Sequence, residues 1–397
     1  MSSNVWKKQK IGEIALINMG QSPESEYYNY ERIGLPFLQG NRTFGFKYPS
    51  YDTFCSSGNK FADPNDILIS VRAPVGDLNI ARERICIGRG LASLKMKNGN
   101  YEYLFYLLKS NIQELINRES GTVFGSINKD DIYNLEVIIA QSDDDQRRIA
   151  EILSALDDKI ELNRQTNATL EAIAQAIFKE WFINFNFPGG TGEMVESELG
   201  MIPKGWRVDS ILMVAELLSG GTPSTKINEY WSGDIKWISA KDVSNAQGSF
   251  VLDTERKITR LGVKNSSTKI LPKLTTIVTA RGTVGSYCIL SEPMAMNQTN
   301  YGLKAKEQES DYFVFFSLAN LVAQLQQASY GTIFDTVTTI TFEKSKIIIP
   351  PYFIIQKFDQ LLRPLMGTIL GNLEQSNTLS KIRDSILPKL MDGEINV

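Results

Sequence analysis

Residues 146–182 read QRRIAEILSALDDKIELNRQTNATLEAIAQAIFKEWF and contain no proline or glycine. The apolar residues of this stretch recur at alternating steps of four and three, which predicts a helix with a heptad seam. The seam runs through Ile149, Leu153, Leu156, Ile160, Leu170, Ala174, Ile177 and Trp181. Midway along it, Asn163 and Asn167 stand where a seam ordinarily has leucine. Because a buried amide is costly unless it is hydrogen-bonded, the pattern predicts polar partners on a facing element.

An internal repeat predicts the domain organisation. Three pairs of segments align at nearly constant offsets: 121–140 with 331–350 at 210, 67–76 with 276–285 at 209, and 35–42 with 235–242 at 200. The changes in offset indicate loop insertions. The sequence therefore predicts two copies of one domain.

The long helix is also repeated. Adding 209 to its seam positions gives Phe358, Leu362, Leu365, Ile369, Asn372, Ser376, Leu379, Arg383, Ile386 and Leu390. This second seam is again polar in the middle, so an antiparallel pair would bring Asn163 and Asn167 towards Asn372 and Ser376. The alternative is that each helix packs on its own domain and its amides contact water. Pro364 and the two glycines after it predict a kink or a late start of the second helix.

These patterns predict an α+β fold, in which two pseudo-repeated mixed α/β domains are joined by two long helices that form an antiparallel coiled coil. The predicted segments are a first domain over 1–140, a central helix within 141–187, a linker over 188–206, a second domain over 207–350 and a C-terminal helix within 351–397. Short β-rich runs such as DILISV and TTIVTA dominate both domains.

Composition indicates an ordinary globular protein, with 397 residues of which 42% are hydrophobic and 22% are charged. The start resembles no signal peptide and no run is long and apolar enough to span a membrane, so we expect a cytoplasmic protein without a membrane partner. Cys55, Cys86 and Cys288 lie far apart and are interpreted as packing residues.

Several classes of catalysis are disfavoured by the sequence. The chain has no histidine, which excludes Ser-His-Asp, Cys-His and His-metal chemistry. GNRTFGF, which begins at Gly40, has phenylalanine where a phosphate-binding loop has lysine, and IPPY, which begins at Ile349, lacks the polar residue of an aminomethyltransferase motif. We therefore predict no catalytic residue and no metal site.

The net charge of -3 is unevenly distributed. Residues 1–140 contain 16 basic and 15 acidic residues, and residues 207–350 contain 15 and 13, whereas residues 141–187 contain 5 and 9. The domains are thus slightly basic although the whole chain is acidic, which leaves an anionic partner possible.

Polar and basic loops occupy matching positions in the two domains. Arg72 of RAPVG and Arg281 of RGTVG follow an apolar strand and precede a glycine turn, where a guanidinium group beside backbone amides suits a phosphate. The alternative is that each arginine pairs with a carboxylate of its own domain.

Other side chains in these loops have the groups that contact bases or the DNA backbone. The candidates are Gln39, Asn41, Arg42, Arg89 and Thr122 in the first domain, and Ser239, Lys241, Asn297, Gln298 and Thr332 in the second. For any single residue a solvated loop is the competing interpretation. The duplicated arrangement is stronger evidence than any one member of it.

The chain resembles the specificity subunit of type I restriction-modification systems. The resemblance is carried by residues 146–182 and by VESELGMIPKGWRV, SGGTPSTKINEYW, WISAKDV, TARGTVG, AMNQTNYGL and GTIFDTVT in the second half. It implies two target-recognition domains, each reading one half of a bipartite sequence in double-stranded DNA, separated by an antiparallel coiled coil.

The resemblance also implies the partners and cofactors. Two methyltransferase subunits would dock on the helices and supply S-adenosylmethionine, and restriction subunits would join for cleavage with ATP and Mg2+. This chain would be non-catalytic and would bind no cofactor itself. A non-DNA interaction scaffold with two ligand-binding domains is the alternative, and an autonomous methyltransferase or nuclease is a further one.

If the paired helices set the distance between half-sites, their length should set the spacer. Inserting seven residues between Ile160 and Leu170, and seven at the opposite position of the second helix, should lengthen the spacer by about 3 base pairs. The reason is that seven residues add about 10.5 Å of helix, and DNA rises about 3.4 Å per base pair. Mapping of methylated adenines measures the spacer, and an unchanged spacer would contradict this role of the helices.

Overall fold

The protein is described by a computed structural model that covers residues 6–119, 125–281, 284–328 and 336–397. The chain folds into two compact units, and each long helix contributes residues to both. Unit 1 comprises Met1–Leu162 and Ser376–Val397, and unit 2 comprises Asn163–Gln375. The fold is α+β, as predicted.

Unit 1 combines small sheets with short helices before the first long helix. Its strands are β1 (Trp6–Lys10), β2 (Ala15–Met19), β3 (Tyr28–Asn29), β4 (Leu35–Leu38), β5 (Phe54–Cys55), β6 (Phe61–Ala62), β7 (Ile67–Ser70), β8 (Leu78–Ile80), β9 (Ile85–Ile87), β10 (Leu91–Met96) and β11 (Glu136–Ala140). Its helices are α1 (Ile11–Ile14), α2 (Tyr101–Ser110), α3 (Ile112–Ile116), α4 (Lys129–Tyr133) and the part of α5 (Asp143–Phe182) up to Leu162.

Unit 2 repeats the main strands and helices of unit 1 and adds a hairpin formed by its first two strands. Its strands are β12 (Met194–Ser197), β13 (Gly200–Pro203), β14 (Arg207–Ser210), β15 (Ala215–Ser219), β16 (Trp231–Ile238), β17 (Phe250–Val251), β18 (Arg256–Ile258), β19 (Ile270–Leu271), β20 (Thr276–Thr279), β21 (Tyr287–Leu290), β22 (Met294–Met296), β23 (Asn300–Ala305) and β24 (Lys346–Ile349). Its helices are α6 (Ala240–Ser244), α7 (Arg260–Lys264), α8 (Asp311–Ala328), α9 (Thr339–Lys344), and the parts of α5 and α10 (Tyr352–Met391) that belong to this unit.

The sheet topology confirms the predicted duplication. In unit 1 the strand order β2-β10-β7-β8 accompanies a second sheet, β3-β5-β4-β9-β6, and unit 2 contains β15-β23-β20-β21-β17 and β18-β16-β22-β19. The register repeats as well. Leu38 pairs with Ile87 in the parallel pair β4/β9, and Ile238 pairs with Met296 in the parallel pair β16/β22. Leu38 and Ile238 are 200 positions apart, and Ile87 and Met296 are 209 positions apart. These are two of the offsets at which the sequence segments align.

In unit 2 the two long helices run antiparallel, and amide groups lie between them. The Asn163 side chain donates to Gln375 Oε1 at 2.9 Å and to the Asn372 carbonyl at 3.3 Å. The Asn167 side chain donates to the Ile369 carbonyl at 3.1 Å and accepts a bond of 2.9 Å from the Asn372 side chain. Because Asn163 and Asn167 are buried, these bonds replace the water that the amides would otherwise contact.

In unit 1 the helices are also antiparallel, and they enclose a buried ion pair. Arg383, which occupies an expected apolar seam position, donates to the carboxylate of Asp157, and both side chains are buried. The Tyr106 hydroxyl donates to the other oxygen of Asp157 at 2.9 Å, and burial raises the pKa of this hydroxyl, so that it keeps its proton. The ammonium of Lys109 lies 3.9 Å from the same carboxylate. The charge at the seam is thus compensated within its own unit.

Two expectations about the helices require correction. The second helix starts at Tyr352 and continues through Pro364, so a late start is wrong. Leu362 and Met366 are fully buried on either side of the proline, and their burial offsets the lost backbone hydrogen bond. In the first helix, Phe178 and Phe182 near the end are more deeply buried than the predicted Ile177 and Trp181, which are half-buried and pack against the same core.

Contacts with a second helix explain the deep burial of Phe182. Phe182 packs against Phe313 of α8 with ring centroids 5.0 Å apart and against Phe358 of α10 at 4.9 Å. The helix must therefore contact a domain helix as well as its partner helix, and a pure heptad pattern describes only the second contact. Ser376, the fourth residue predicted at the polar centre, is half-buried at the start of the unit 1 part of α10.

The buried ion pair generates a stability prediction. Arg383→Met should lower the free energy of unfolding by about 3–5 kcal/mol, because it leaves Asp157 buried without its main cation. The double variant Asp157→Leu with Arg383→Met removes both charges and should recover most of that loss. Urea unfolding followed by circular dichroism measures the difference.

A surface pair provides the control for this prediction. Arg363 lies 2.8 Å from Glu309 with an exposed guanidinium, so Arg363→Met should cost about 0–1 kcal/mol. If the single and double variants at the buried pair lost equal stability, the seam arginine would act through packing and not through its charge.

Candidate nucleic-acid interface

The parallel strand pair of unit 1 places two of the predicted loops side by side. β4 and β9 end at the same edge of their sheet, so Gln39–Arg42 and Gly88–Gly90 follow them as neighbours. The Gly88 amide donates to the Leu38 carbonyl at 2.8 Å, and the Gly90 amide donates to the Gln39 carbonyl at 3.1 Å. Gln39 and Arg89 thereby project from one surface, and both are exposed.

The arginine loop after β7 joins the same surface. The Val71 amide donates to the Gly90 carbonyl at 2.9 Å, so the exposed Arg72 lies next to the loop that carries Arg89. The Asn41 side chain donates to Asp77 of the same turn region. Within the described residues, no carboxylate contacts the guanidinium group of Arg72 or of Arg89.

Unit 2 builds the corresponding surface from corresponding elements. β16 and β22 are parallel, and the Asn297 amide donates to the Ile238 carbonyl at 3.0 Å. The Ala280 amide donates to the Thr299 carbonyl at 2.8 Å, which places the exposed Arg281 beside the loop of Asn297 and Gln298. No acidic side chain contacts the Arg281 guanidinium in the part of the chain that the structure describes.

Some candidates already have partners inside their own unit. Arg42 binds both oxygens of Asp52 at 2.8 and 2.7 Å, and this guanidinium lowers the pKa of Asp52. Lys241 lies 2.7 Å from Glu255, and that hydrogen bond raises the pKa of Lys241. These two cations are exposed, but their charge is balanced locally. They are weaker candidates for a phosphate contact than Arg72, Arg89 and Arg281, which contact no carboxylate in the described part of the chain.

Two further candidates in unit 2, Ser239 and Asn297, accept hydrogen bonds from backbone amides of their own loops. Ser239 is the N-cap of α6, where its hydroxyl accepts from the Asp242 amide at 3.3 Å and lies 2.6 Å from the Asp242 carboxylate. Asn297 accepts bonds from the Thr299 amide at 3.1 Å and from its hydroxyl at 2.8 Å, which forms a local turn. The sequence predicted base contacts for both residues without indicating these local roles. Thr122 and Thr332 lie outside the described residues.

Each unit also contains a hydroxyl residue at this surface that the sequence patterns did not indicate. Ser22 donates to Gln39 Oε1 at 2.9 Å and accepts the Arg89 amide at 3.2 Å, so it contacts both predicted loops of unit 1. In unit 2, the Thr222 hydroxyl donates to Gln298 Oε1. GQSP from Gly20 and GGTP from Gly220 lie at the offset of 200 already seen for β4 and β16. Extending that alignment upstream would have identified both residues.

A close backbone approach positions each hydroxyl. The amide of Gln21 donates to the Ile87 carbonyl at 3.0 Å, and the amide of Gly221 donates to the Met296 carbonyl at 2.9 Å. A Cβ atom at Gly20 would lie 2.2 Å from the Gly88 carbonyl oxygen, and one at Gly220 would lie 2.1 Å from the Asn297 carbonyl oxygen. Only glycine fits at either position, because the turn packs directly on the end of β9 or β22.

The chemistry of these surfaces is that of binding. They present guanidinium groups and amides, which bind phosphates and base edges. Among their described residues, no nucleophile is paired with a general base. Burial raises the pKa of the Cys86 thiol to about 11, and Cys55 and Cys288 are also buried, so the packing role of the cysteines fits their surroundings. No group of metal-ligating side chains occurs among residues 6–119, 125–281, 284–328 and 336–397. Across those same ranges, no helix has the length and apolar character needed to span a membrane.

The sequence matches one family model over two segments. The family is described as "Type I restriction modification DNA specificity domain", and the matches cover residues 4–172 and 203–375. Two curated relatives carry related names. The chain is 27% identical to the type I restriction enzyme MjaIX specificity subunit of Methanocaldococcus jannaschii, over 99% of this chain and 94% of the relative. It is 29% identical to the type I restriction enzyme HindI specificity subunit of Haemophilus influenzae, over 74% and 77%.

A solved structure has a similar fold. The crystal structure of the S subunit of a type I restriction-modification system from M. genitalium superposes with a TM-score of 0.62 over 98% of this chain and 97% of the other. The sequences are 15% identical, so this similarity concerns the fold alone.

The glycine contacts generate a prediction about the turns. Gly20→Ala and Gly220→Ala should each lower the free energy of unfolding of the corresponding unit by about 1–3 kcal/mol, because the added methyl group overlaps a backbone carbonyl. Gly40→Ala is the matched control, since a Cβ there would meet no atom within 4 Å and the backbone is extended. Thermal unfolding compares the three variants, and equal midpoints would contradict the close approach.

Proposed function

The chain belongs to the family of type I restriction-modification DNA specificity domains, and we propose that its two units divide the recognition of DNA between them. It is a specificity subunit with two target-recognition domains. Each unit reads one half of a bipartite target through the loops at the ends of its parallel strand pair. The observation that carries this proposal is that both units present the same set of loops, in which an exposed glutamine lies beside an arginine that contacts no carboxylate among the described residues.

The arginines suit contacts to the DNA backbone. Arg72 and Arg281 follow equivalent strands, and each guanidinium is exposed without a neutralising carboxylate among the described residues. A phosphate would supply the missing negative charge and accept two parallel hydrogen bonds. Such contacts set register and affinity but carry no sequence information. Arg89 extends this positive surface in unit 1.

The glutamines suit contacts to bases. Gln39 and Gln298 are exposed beside these arginines, and their amide groups can bond to base edges in the major groove. Because the domains carry a small net charge, we expect the isolated chain to bind DNA weakly. Partner subunits that close around the duplex would supply the remaining affinity.

The partners follow from the family. We propose that two methyltransferase subunits dock on the paired helices and supply S-adenosylmethionine, and that restriction subunits with ATP and Mg2+ join for cleavage. The target adenine must leave the base stack to be methylated, which is a task for the methyltransferase subunits. This chain then contributes recognition and no catalytic group.

Mapping of methylated adenines tests the proposed function. The chain would be purified with its methyltransferase subunits, and their modification of genomic DNA would be sequenced. A bipartite motif is the expected result. A contiguous motif, or none, would contradict recognition by two units, and methylation by the isolated chain would contradict its non-catalytic role.

Two variants of unit 2 test the division of labour. Arg281→Ala should weaken binding to all DNA sequences. It should also reduce the slope of log affinity against log salt concentration by about the contribution of one phosphate contact. Gln298→Ala should change the base preference in one half-site and leave the other half-site unchanged. Quantitative binding to a randomised duplex library measures both effects.

A charge-matched control lies on a different sheet, the two-stranded β12–β13 hairpin. Lys204 pairs with Glu193 at 2.8 Å on the β12–β13 hairpin, so Lys204→Ala should leave both affinity and preference unchanged. The proposal fails if Arg281→Ala and Gln298→Ala both reduce affinity without altering base preference.

A further inference from the structure

The orientation of the two exposed glutamines is determined by the hydroxyl groups that contact them. Ser22 Oγ lies 2.9 Å from Gln39 Oε1, and it accepts a hydrogen bond from the Arg89 amide at 3.2 Å. A carbonyl oxygen can only accept, so the hydroxyl proton of Ser22 points to Gln39 Oε1. The Nε2 group of Gln39 has no bonding partner among the described residues. Its two N–H donors are therefore the available groups of this side chain.

A glycine keeps the carbonyl end of Gln39 in place. The position of a Cβ atom on Gly88 lies only 2.6 Å from Gln39 Oε1. The oxygen therefore packs against the backbone of the neighbouring loop, in space that any other residue at position 88 would fill. Two independent contacts, the Ser22 hydroxyl and the Gly88 backbone, hold the same end of the amide.

Unit 2 has the same contact between a hydroxyl group and a glutamine amide oxygen, but the glutamine comes from a different loop. The Thr222 hydroxyl donates to Gln298 Oε1, and Thr222 corresponds to Ser22 at the offset of 200. Gln298 follows β22, whereas Gln39 follows β4, whose counterpart is β16. The hydroxyl position is thus common to both units, while the glutamine comes from either of the two adjacent loops.

We propose that Ser22 and Thr222 are positioning residues for the glutamines that they contact. Each hydroxyl holds the amide oxygen inward, so that the N–H groups face the DNA. The glutamine then reads a hydrogen-bond acceptor on a base edge, such as O6 or N7 of guanine, O4 of thymine or N7 of adenine. Cytosine, which offers only its N4 amino donor in the major groove, is disfavoured at that position. This inference rests on the proposed function and adds a rule for base choice to it.

The first test removes the hydroxyl groups. Ser22→Ala, in the complex with methyltransferase subunits, should reduce discrimination at one base position of one half-site by roughly fivefold to tenfold. Thr222→Ala should do the same in the other half-site. Ser22→Thr and Thr222→Ser exchange the hydroxyl residues found in the two units, and both should retain the wild-type preference. Relative methylation rates over a randomised target library give the preference at every position.

The second test reverses the polarity of the glutamine. Gln39→Glu keeps an oxygen that can accept the Ser22 proton but replaces the N–H donors with a second acceptor. The preference at the affected position should shift towards cytosine or adenine, which offer an amino donor. This readout does not depend on whether Ser22→Ala folds normally. Ser56→Ala removes an exposed hydroxyl elsewhere in unit 1 and is the control for general effects.

The outcomes separate this inference from the proposed function. If the wild-type complex modifies no bipartite motif, the proposed function itself fails. If the wild type has such a motif and Ser22→Ala leaves every base preference unchanged, the positioning role is overturned and recognition by two units stands. An unchanged preference in Gln39→Glu would likewise overturn the assignment of Gln39 as a donor.

Discussion

The parallel pairing of two short strands is the constraint on which both candidate surfaces depend. Parallel neighbours end at the same edge of a sheet, so the loops after β4 and β9 must lie together, as must those after β16 and β22. An antiparallel pair would place such loops at opposite edges. Backbone hydrogen bonds thus bring together the loops that carry the exposed amides and guanidinium groups, and the hydroxyls of Ser22 and Thr222 then contact the glutamines.

The long helices use polar residues to fix their register. A seam of leucines alone permits several registers and either direction, because apolar contacts are not directional. In unit 2, the antiparallel alignment brings Asn163 and Asn167 within hydrogen-bonding distance of polar groups on the second helix. In unit 1, the same alignment places Arg383 opposite the buried Asp157. The energetic penalty for an unpaired buried amide or charge disfavours the alternatives. The same residues that weaken an apolar seam therefore make its geometry unique.

Local balance of charge distinguishes the basic residues of the two surfaces. From sequence, Arg42 and Arg72 look alike, as do Lys241 and Arg281. The fold places Asp52 beside Arg42 and Glu255 beside Lys241, while no described carboxylate contacts Arg72 or Arg281. Which cations remain available to an anionic partner depends on the neighbours that folding supplies.

Periodicity and repetition in the sequence alone determined the fold class, the duplication and the two long helices with polar centres. These features follow from patterns of residue type that recur at fixed spacing, and they can be read without coordinates. Tertiary structure decided the contacts between residues distant along the chain, such as Thr222 with Gln298 and Asp157 with Arg383. It also decided that Phe178 and Phe182 are more deeply buried than Ile177 and Trp181, and that Pro364 lies within a helix. The physical reason is that burial and pairing depend on which surfaces the fold brings together, whereas a heptad rule describes one helix against one partner.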